Sequence, residues 1–91
     1  MRAVPGLGHV AGQALGLHPD VDLITFTGSN EVGRRFLEYS AQSNLKKVVL
    51  ELGGSDPYVV LSAEDPKAAA EEALAIRLEN TGQACNSNKR M

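Results

Sequence analysis

The chain has 91 residues, 43% hydrophobic and 22% charged, a globular composition with length for one small domain but not two. Nine basic and eleven acidic residues leave a net charge of −2, and the only basic clusters are the pairs Arg34-Arg35, Lys46-Lys47 and Lys89-Arg90, which argues against a nucleic-acid or anionic-membrane partner. The single cysteine excludes an internal disulfide and fits a reducing, cytoplasmic setting; no apolar run reaches membrane-spanning length, and no signal peptide is visible in Met1–Gly12.

Arg2-Ala3-Val4-Pro5 reads as the end of a strand already under way. Gly6, Gly8 and Gly12 surround a loop and a helix start, and a helix follows from His9 to Leu17 with Val10, Ala14 and Leu17 on one face. Pro19 ends it. Val21–Thr27 is β-branched and apolar and reads as a buried strand. Gly28 breaks that strand, Ser29 suits a helix N-cap, and Asn30 and Glu31 fill a first turn that favours acidic side chains. Val32, Phe36 and Tyr39 form the apolar face of this second helix, which ends near Ser43-Asn44. Lys47–Leu52 is a strand stopped by Gly53-Gly54, and Tyr58–Leu61 is a further one. Asp65 and Pro66 open a third helix that runs to about Asn80, with Ala69, Ala73 and Ile76 inward and Lys67 one turn from Glu71. Thr81-Gly82-Gln83 closes it, and Cys85 follows. Strands alternating with helices predict an α/β fold with parallel strands. Asn88-Lys89-Arg90-Met91 carries no turn or cap, so both ends read as truncations.

Four places carry potential chemistry. Thr27-Gly28-Ser29-Asn30-Glu31-Val32-Gly33 leaves a strand and opens a helix, where free N–H groups suit a phosphate; the plain alternative is a turn with an N-cap. Gly6-Leu7-Gly8-His9-Val10-Ala11-Gly12 has the look of a dinucleotide loop with its last glycine one position late, and a plain turn accounts for it too. Glu51 lies in an otherwise apolar strand, and simple alternation would send it to solvent between Leu50 and Leu52; the glycines after it clear space beside the carboxylate. Cys85 is the sole thiol, and its neighbours Thr81-Gly82-Gln83 and Asn86-Ser87-Asn88-Lys89 are mostly polar, which suits an accessible thiolate better than a buried one. His9 and His18 are the histidines a cysteine hydrolase could use, although His18 sits where a capping role is expected. No metal-ligand cluster is evident.

Together, Phe26-Thr27-Gly28-Ser29-Asn30-Glu31-Val32-Gly33, Leu50-Glu51-Leu52-Gly53-Gly54 and Gly82-Gln83-Ala84-Cys85 resemble the aldehyde dehydrogenase superfamily in order and spacing, from Val4 to Arg90. The resemblance implies a partial Rossmann-like parallel sheet with flanking helices, residues 1–52 in the NAD(P)-binding domain and 53–91 at the start of the catalytic domain. It implies Cys85 as nucleophile and donor of one oxyanion N–H, and Glu51 as general base. NAD or NADP would be framed by Gly28, Ser29, Asn30, Glu31, Val32 and Gly33, with Ser29 on the pyrophosphate, Leu52 near the nicotinamide through its backbone, and Gly8 and Gly12 on the adenosine side. Asn30 stands where Thr is commoner. Ser55-Asp56-Pro57 and Asn86-Ser87-Asn88-Lys89 look like the succinate-semialdehyde branch. Such enzymes are several times longer than this chain, and the asparagine completing the oxyanion hole, the ribose-binding residues and the oligomerisation arm fall outside it.

The expectation is therefore a segment of an enzyme that oxidises a small-molecule aldehyde to a carboxylic acid with NAD(P)+, homo-oligomeric at full length. The rivals are an inactive truncated fragment and a cysteine hydrolase that works without a nicotinamide cofactor.

Overall fold

Pro19, Gly28 and the Gly53-Gly54 pair punctuate the chain, and the regular elements fall between them. The computed structural model describes residues 2–91; Met1, the first residue of the stretch read for a signal peptide, lies outside them. The chain divides into two compact units, Met1–Leu52 and Gly53–Met91. Both have an α/β build. None of the described helices is long and apolar enough to cross a membrane.

In the first unit a π-helical turn, Gly8–Gly12, runs into α1, Gln13–Leu17. The wider turn rotates the face by about one position. Val10 and Ala14, expected inside, are exposed, while Gly16 is buried and Ala11, Gly12 and Leu17 are half-buried. Strand β1, Leu23–Thr27, pairs in parallel with β2, Lys47–Glu51, with Leu23 opposite Lys47 and Thr27 opposite Glu51. Helix α2, Asn30–Gln42, connects them, giving a strand–helix–strand unit.

Several expectations are corrected here. Arg2–Pro5 form no strand and are exposed. Val21 and Asp22 precede β1, because the Val21 N–H donates to the His18 carbonyl and Asn44 Nδ2 donates to the Pro19 and Val21 carbonyls, at 2.6 and 3.1 Å. The strand is not buried throughout: Ile24 and Phe26 turn inward and their neighbours outward. Leu52 lies past the end of β2, where the ladder closes on a bond from the Gly28 N–H to the Glu51 carbonyl.

The interior of this unit is built around aromatic rings. Phe26 meets Phe36 at a centroid distance of 5.0 Å, and Phe36 meets Tyr39 edge-on at 5.9 Å. Val32, on the same stripe of α2, stays exposed, and buried Gly33 takes its place against the sheet. Gly16 is buried because Tyr39 lies against it; a Cβ there would come within 2.6 Å of the ring. Lys46, only 5% exposed, donates from Nζ to the Gly16 carbonyl and to Ser43 Oγ, both at 2.6 Å, and Ser43 Oγ donates to the Tyr39 carbonyl at 2.7 Å. One cation thus ties the C-terminal ends of α1 and α2, where helix dipoles favour positive charge.

In the second unit β3, Asp56–Pro57, pairs in parallel with β4, Asn88–Arg90. Helix α3, Pro66–Leu78, lies between them in sequence, and a 3-10 turn, Glu79–Gly82, follows it. Asp65 caps α3, its Oδ1 accepting from the N–H groups of Lys67 and Ala68, with Pro66 at the first helical position. Ala73 is buried and Ala69 half-buried, but Ile76 is exposed. Lys67 and Glu71 form the expected surface pair at 3.6 Å.

The strand expected over Tyr58–Leu61 is absent. The Tyr58 N–H extends the β3–β4 ladder by one bond to the Arg90 carbonyl at 2.8 Å, but no strand lies beside Val59, Val60 and Leu61, and all three are exposed. The β-branched run is real; its partner is not within the described residues. Strand β4 was not expected, because Asn88-Lys89-Arg90 carries no apolar alternation. Its pairing is fixed instead by side-chain bonds to the opposite segment, from Lys89 Nζ to the Gly54 carbonyl and from Arg90 to the Ser55 carbonyl.

Candidate functional site

The β1–α2 corner carries most of the residues singled out in the first glycine–serine motif. Ser29 is extended, and its Oγ accepts from the Val32 N–H at 3.3 Å while its carbonyl accepts from the Gly33 N–H at 2.9 Å. The N–H groups of Asn30 and Glu31, at the very start of the helix, have no intrahelical acceptor. They leave partial positive charge at the end of a thirteen-residue helix. Glu31 is turned to Arg35 at 2.8 Å in an exposed ion pair. A Cβ at Gly28 would come within 2.5 Å of the Phe26 ring, so a larger residue there would have to displace that ring.

A cavity of about 420 Å³ opens beside this corner, lined by Gly8, His9, Gly12, Gln13, Phe26, Val32, Arg35, Phe36 and Tyr39. It brings Gly8 and Gly12 of the first glycine loop together with Val32 of the second. The glycines matter for space. Nothing lies within 4 Å of where a Cβ at Gly8 would sit, and one at Gly12 would just touch Phe36 at 3.8 Å. The aromatic walls were not singled out in sequence. The signal was present in Phe36 and Tyr39, spaced by three on α2, opposite Gly12 and Gly16, spaced by four on the facing helical segment.

Leu52 does not line this cavity; its side chain packs on Gly33. Glu51 closes β2 opposite Thr27 and is exposed, with Leu50 and Leu52 turned the other way, as strand alternation requires. Of the two histidines, His9 stands on the cavity wall. His18 is the C-cap of α1, its N–H donating to the Leu15 carbonyl, and its Nδ1 accepts from the Asp20 N–H at 3.2 Å in the turn that follows.

In the second unit Cys85 sits in a turn between the 3-10 segment and β4, and its thiol is exposed. The turn is well braced. The Ser87 N–H donates to the Ala84 carbonyl, and Gly54 lies so close to the Cys85 carbonyl that no Cβ would fit. Before the thiol, Asn80, Thr81 and Gly82 all have positive φ, at 48°, 58° and 77°. For Thr81, which is β-branched, this is a strained conformation. Arg77 holds the loop from α3: its guanidinium donates to the Gly82 carbonyl at 2.8 Å and to Ser87 Oγ at 2.9 Å. Ser87 is 2% exposed. Neither Arg77 nor Ser87 was singled out from sequence, since an arginine near a helix end reads as an ordinary dipole partner. A second cavity, about 390 Å³, lies between α3 and β4 and is lined by Ala73, Leu74, Arg77 and Asn88 among others, with no thiol, carboxylate or imidazole. Among the described residues no three side chains come together to hold a metal.

Residues 1–91 match the model of the aldehyde dehydrogenase family. Aminoacetaldehyde dehydrogenase of Pseudomonas aeruginosa is 47% identical over 91 residues, covering 99% of this chain and 18% of its own length. An NAD(P)+ aldehyde dehydrogenase of Saccharomyces cerevisiae is 45% identical over 91 residues, covering all of this chain and 18% of its own. Among solved structures, the indole-3-acetaldehyde dehydrogenase AldA of P. syringae, a cysteine-to-alanine mutant in complex with NAD+ and IAA, superposes with a TM-score of 0.83 at 41% identity, over 96% of this chain and 18% of that one. The chain thus spans about a fifth of the length of the relatives it matches.

Proposed function

The chain belongs to the aldehyde dehydrogenase family, and from that premise we propose that it is the segment of a longer NAD(P)+-dependent enzyme that carries the nucleophile and the general base for oxidising an aldehyde to a carboxylic acid. The observation that carries the reading is the exposed thiol of Cys85 on a braced turn, in a chain matched to the family over all of its 91 residues.

In this reading residues 1–52 belong to a Rossmann-like cofactor domain and 53–91 to the start of the catalytic domain. The Cys85 thiolate adds to the aldehyde carbonyl, and its own N–H stabilises the oxyanion of the thiohemiacetal. Once that adduct is oxidised to the thioester, Glu51 takes a proton from water and the hydroxide releases the acid. The cofactor, when bound, supplies the hydride acceptor. The residues present fit its adenosine half. A cavity of about 420 Å³, walled by Phe26, Phe36 and Tyr39 and opened by Gly8 and Gly12, accepts a flat aromatic base. The uncapped N–H groups of Asn30 and Glu31, with Ser29, Gly28 and Gly33 around them, would hold a phosphate of the cofactor, and the Leu52 backbone would lie on the nicotinamide side.

A reducing, cytoplasmic compartment keeps such a thiol competent. Succinate semialdehyde is the first substrate to test, on the strength of Ser55-Asp56-Pro57 and Asn86-Ser87-Asn88-Lys89, and homo-oligomerisation is expected at full length. The 91 residues alone lack half of the oxyanion hole and the ribose contacts, so turnover needs the longer polypeptide. The test uses that polypeptide. Cys85→Ala is expected to abolish oxidation, and Glu51→Gln to leave acylation intact while slowing thioester hydrolysis by about 10²–10⁴-fold. Normal turnover by either variant would refute the assigned role. Activity without nicotinamide cofactor would favour a cysteine hydrolase instead.

A further inference from the structure

We propose that Arg77 is a positioning residue for Cys85, holding the nucleophile turn in its working shape; this rests on the reading of Cys85 as the nucleophile. The guanidinium takes hold of the loop on both sides of the thiol. It donates to the Gly82 carbonyl, three residues before Cys85, and to Ser87 Oγ, two residues after it, at 2.8 and 2.9 Å. Ser87 Oγ lies 3.4 Å from the Arg77 carbonyl, which closes the loop back onto the end of α3. Both bonds come from Nη1, whose two N–H donors are fixed in the guanidinium plane; the shorter side chain of lysine, ending in a rotating ammonium, does not reproduce that geometry.

The loop needs this hold. Asn80, Thr81 and Gly82 are left-handed in succession, a strained conformation for the β-branched Thr81. The other bonds within the segment are local: Thr81 Oγ1 to the Asn80 carbonyl, Gln83 Nε2 to Thr81 Oγ1, and the Gln83 N–H to the Asn80 carbonyl. They shape the turn but do not fasten it to a helix. Arg77 does. The site is built for it: a Cβ at Gly82 would come within 2.6 Å of the guanidinium, so glycine there gives the arginine access to the backbone. Ser87, the most buried side chain of the unit, presents a hydroxyl inward with the arginine as its donor. Released from Arg77, the strained turn relaxes and carries the thiol, with its own N–H, out of the working position.

The experiment compares Arg77→Ala, Arg77→Lys and Ser87→Ala in the full-length enzyme, reading cofactor affinity and single-turnover acylation separately, with Cys85→Ala as the control. Arg77→Ala is expected to slow acylation by about 10- to 100-fold, the loss that a misplaced reacting group brings, with cofactor affinity within about twofold of the parent. Arg77→Lys recovers part of the rate through one retained bond. Ser87→Ala, which keeps the guanidinium, slows acylation several-fold. Acylation within about twofold of the parent in a folded Arg77→Ala protein overturns the proposal. If that variant does not fold, an unchanged rate in Ser87→Ala overturns it. Full activity in Cys85→Ala would instead remove the nucleophile reading on which it rests.

Discussion

Leu52 fills the space that a side chain at Gly33 would need. A Cβ on Gly33 would lie 2.8 and 3.0 Å from the two δ-methyls of Leu52, so the residue that follows β2 is what keeps position 33 of α2 a glycine. Both methyls close on the same point, so the leucine has to shift for any side chain to enter. Gly33→Ala gains roughly 1 kcal/mol of helix propensity and loses more to overpacking, about 1–3 kcal/mol. The net result is a lower thermal midpoint, with recovery when Leu52→Ala is added. A midpoint at or above the parent for the single variant would contradict this packing.

Ser29→Ala removes the side-chain acceptor for the Val32 N–H and is expected to destabilise by about 1 kcal/mol, Ser29→Gly by a few tenths. Urea denaturation followed by circular dichroism distinguishes the two. Equal effects would mean that the cap bond contributes nothing.

Lys46→Met keeps the apolar stem and deletes the cation that joins the ends of α1 and α2. The Gly16 carbonyl then loses its close donor, and the loss is about 1.5–3 kcal/mol, as for a hydrogen bond from a charged group. An unchanged denaturation midpoint would show that the buried ammonium costs as much as its bonds return.

Gly12→Leu places an isobutyl group in the cavity beside Phe36 and Tyr39. Cofactor dissociation constants measured by fluorescence titration should rise by at least about tenfold, since the added side chain occupies the cavity against Phe36. Acylation at saturating cofactor should change little. Unaltered cofactor affinity would move the adenosine site elsewhere.

Tyr58 is half-buried, and its phenol titrates above the usual tyrosine value, first through loss of water and then through the Glu72 carboxylate, which repels the phenolate and favours the protonated phenol. A raised value favours the neutral form in the folded state. The contribution to stability is therefore complete below about pH 10 and is lost as pH climbs through the folded value. Ring-carbon chemical shifts followed from pH 8 upward in Glu72→Gln should move the midpoint back toward the ordinary one; no movement would remove Glu72 from the cause.

Much of the local structure was legible in the residues themselves. Ser29 and Asp65 cap the helices they were expected to cap, because a short polar side chain before a helix satisfies its first N–H groups whatever surrounds it. The apolar faces were harder. Val10 and Ala14 were misplaced because the π-turn at Gly8–Gly12 shifts the helical phase, and a regular 3.6-residue period cannot anticipate an irregular turn. Among the described residues Val59–Leu61 has strand chemistry but no strand neighbour, whereas Asn88–Arg90 has a neighbour but no strand chemistry. Pairing is a tertiary property, and single segments do not encode it. At the candidate site, glycines and the thiol stood out because few residues can replace them. Phe26, Phe36, Tyr39 and Arg77 did not, because their roles depend on what the fold sets opposite them.

Strands β1 and β2 pair only with each other among the described residues, and so do β3 and β4. Each strand therefore presents one row of amide and carbonyl groups with no ladder partner, and Leu23 and Val49 add exposed apolar surface on the first pair. At high concentration such rows recruit further strands. Preparations of the 91 residues alone should thus form concentration-dependent oligomers through backbone pairing, and a soluble fusion partner or a charged substitution along an edge is the practical route to handling them in solution.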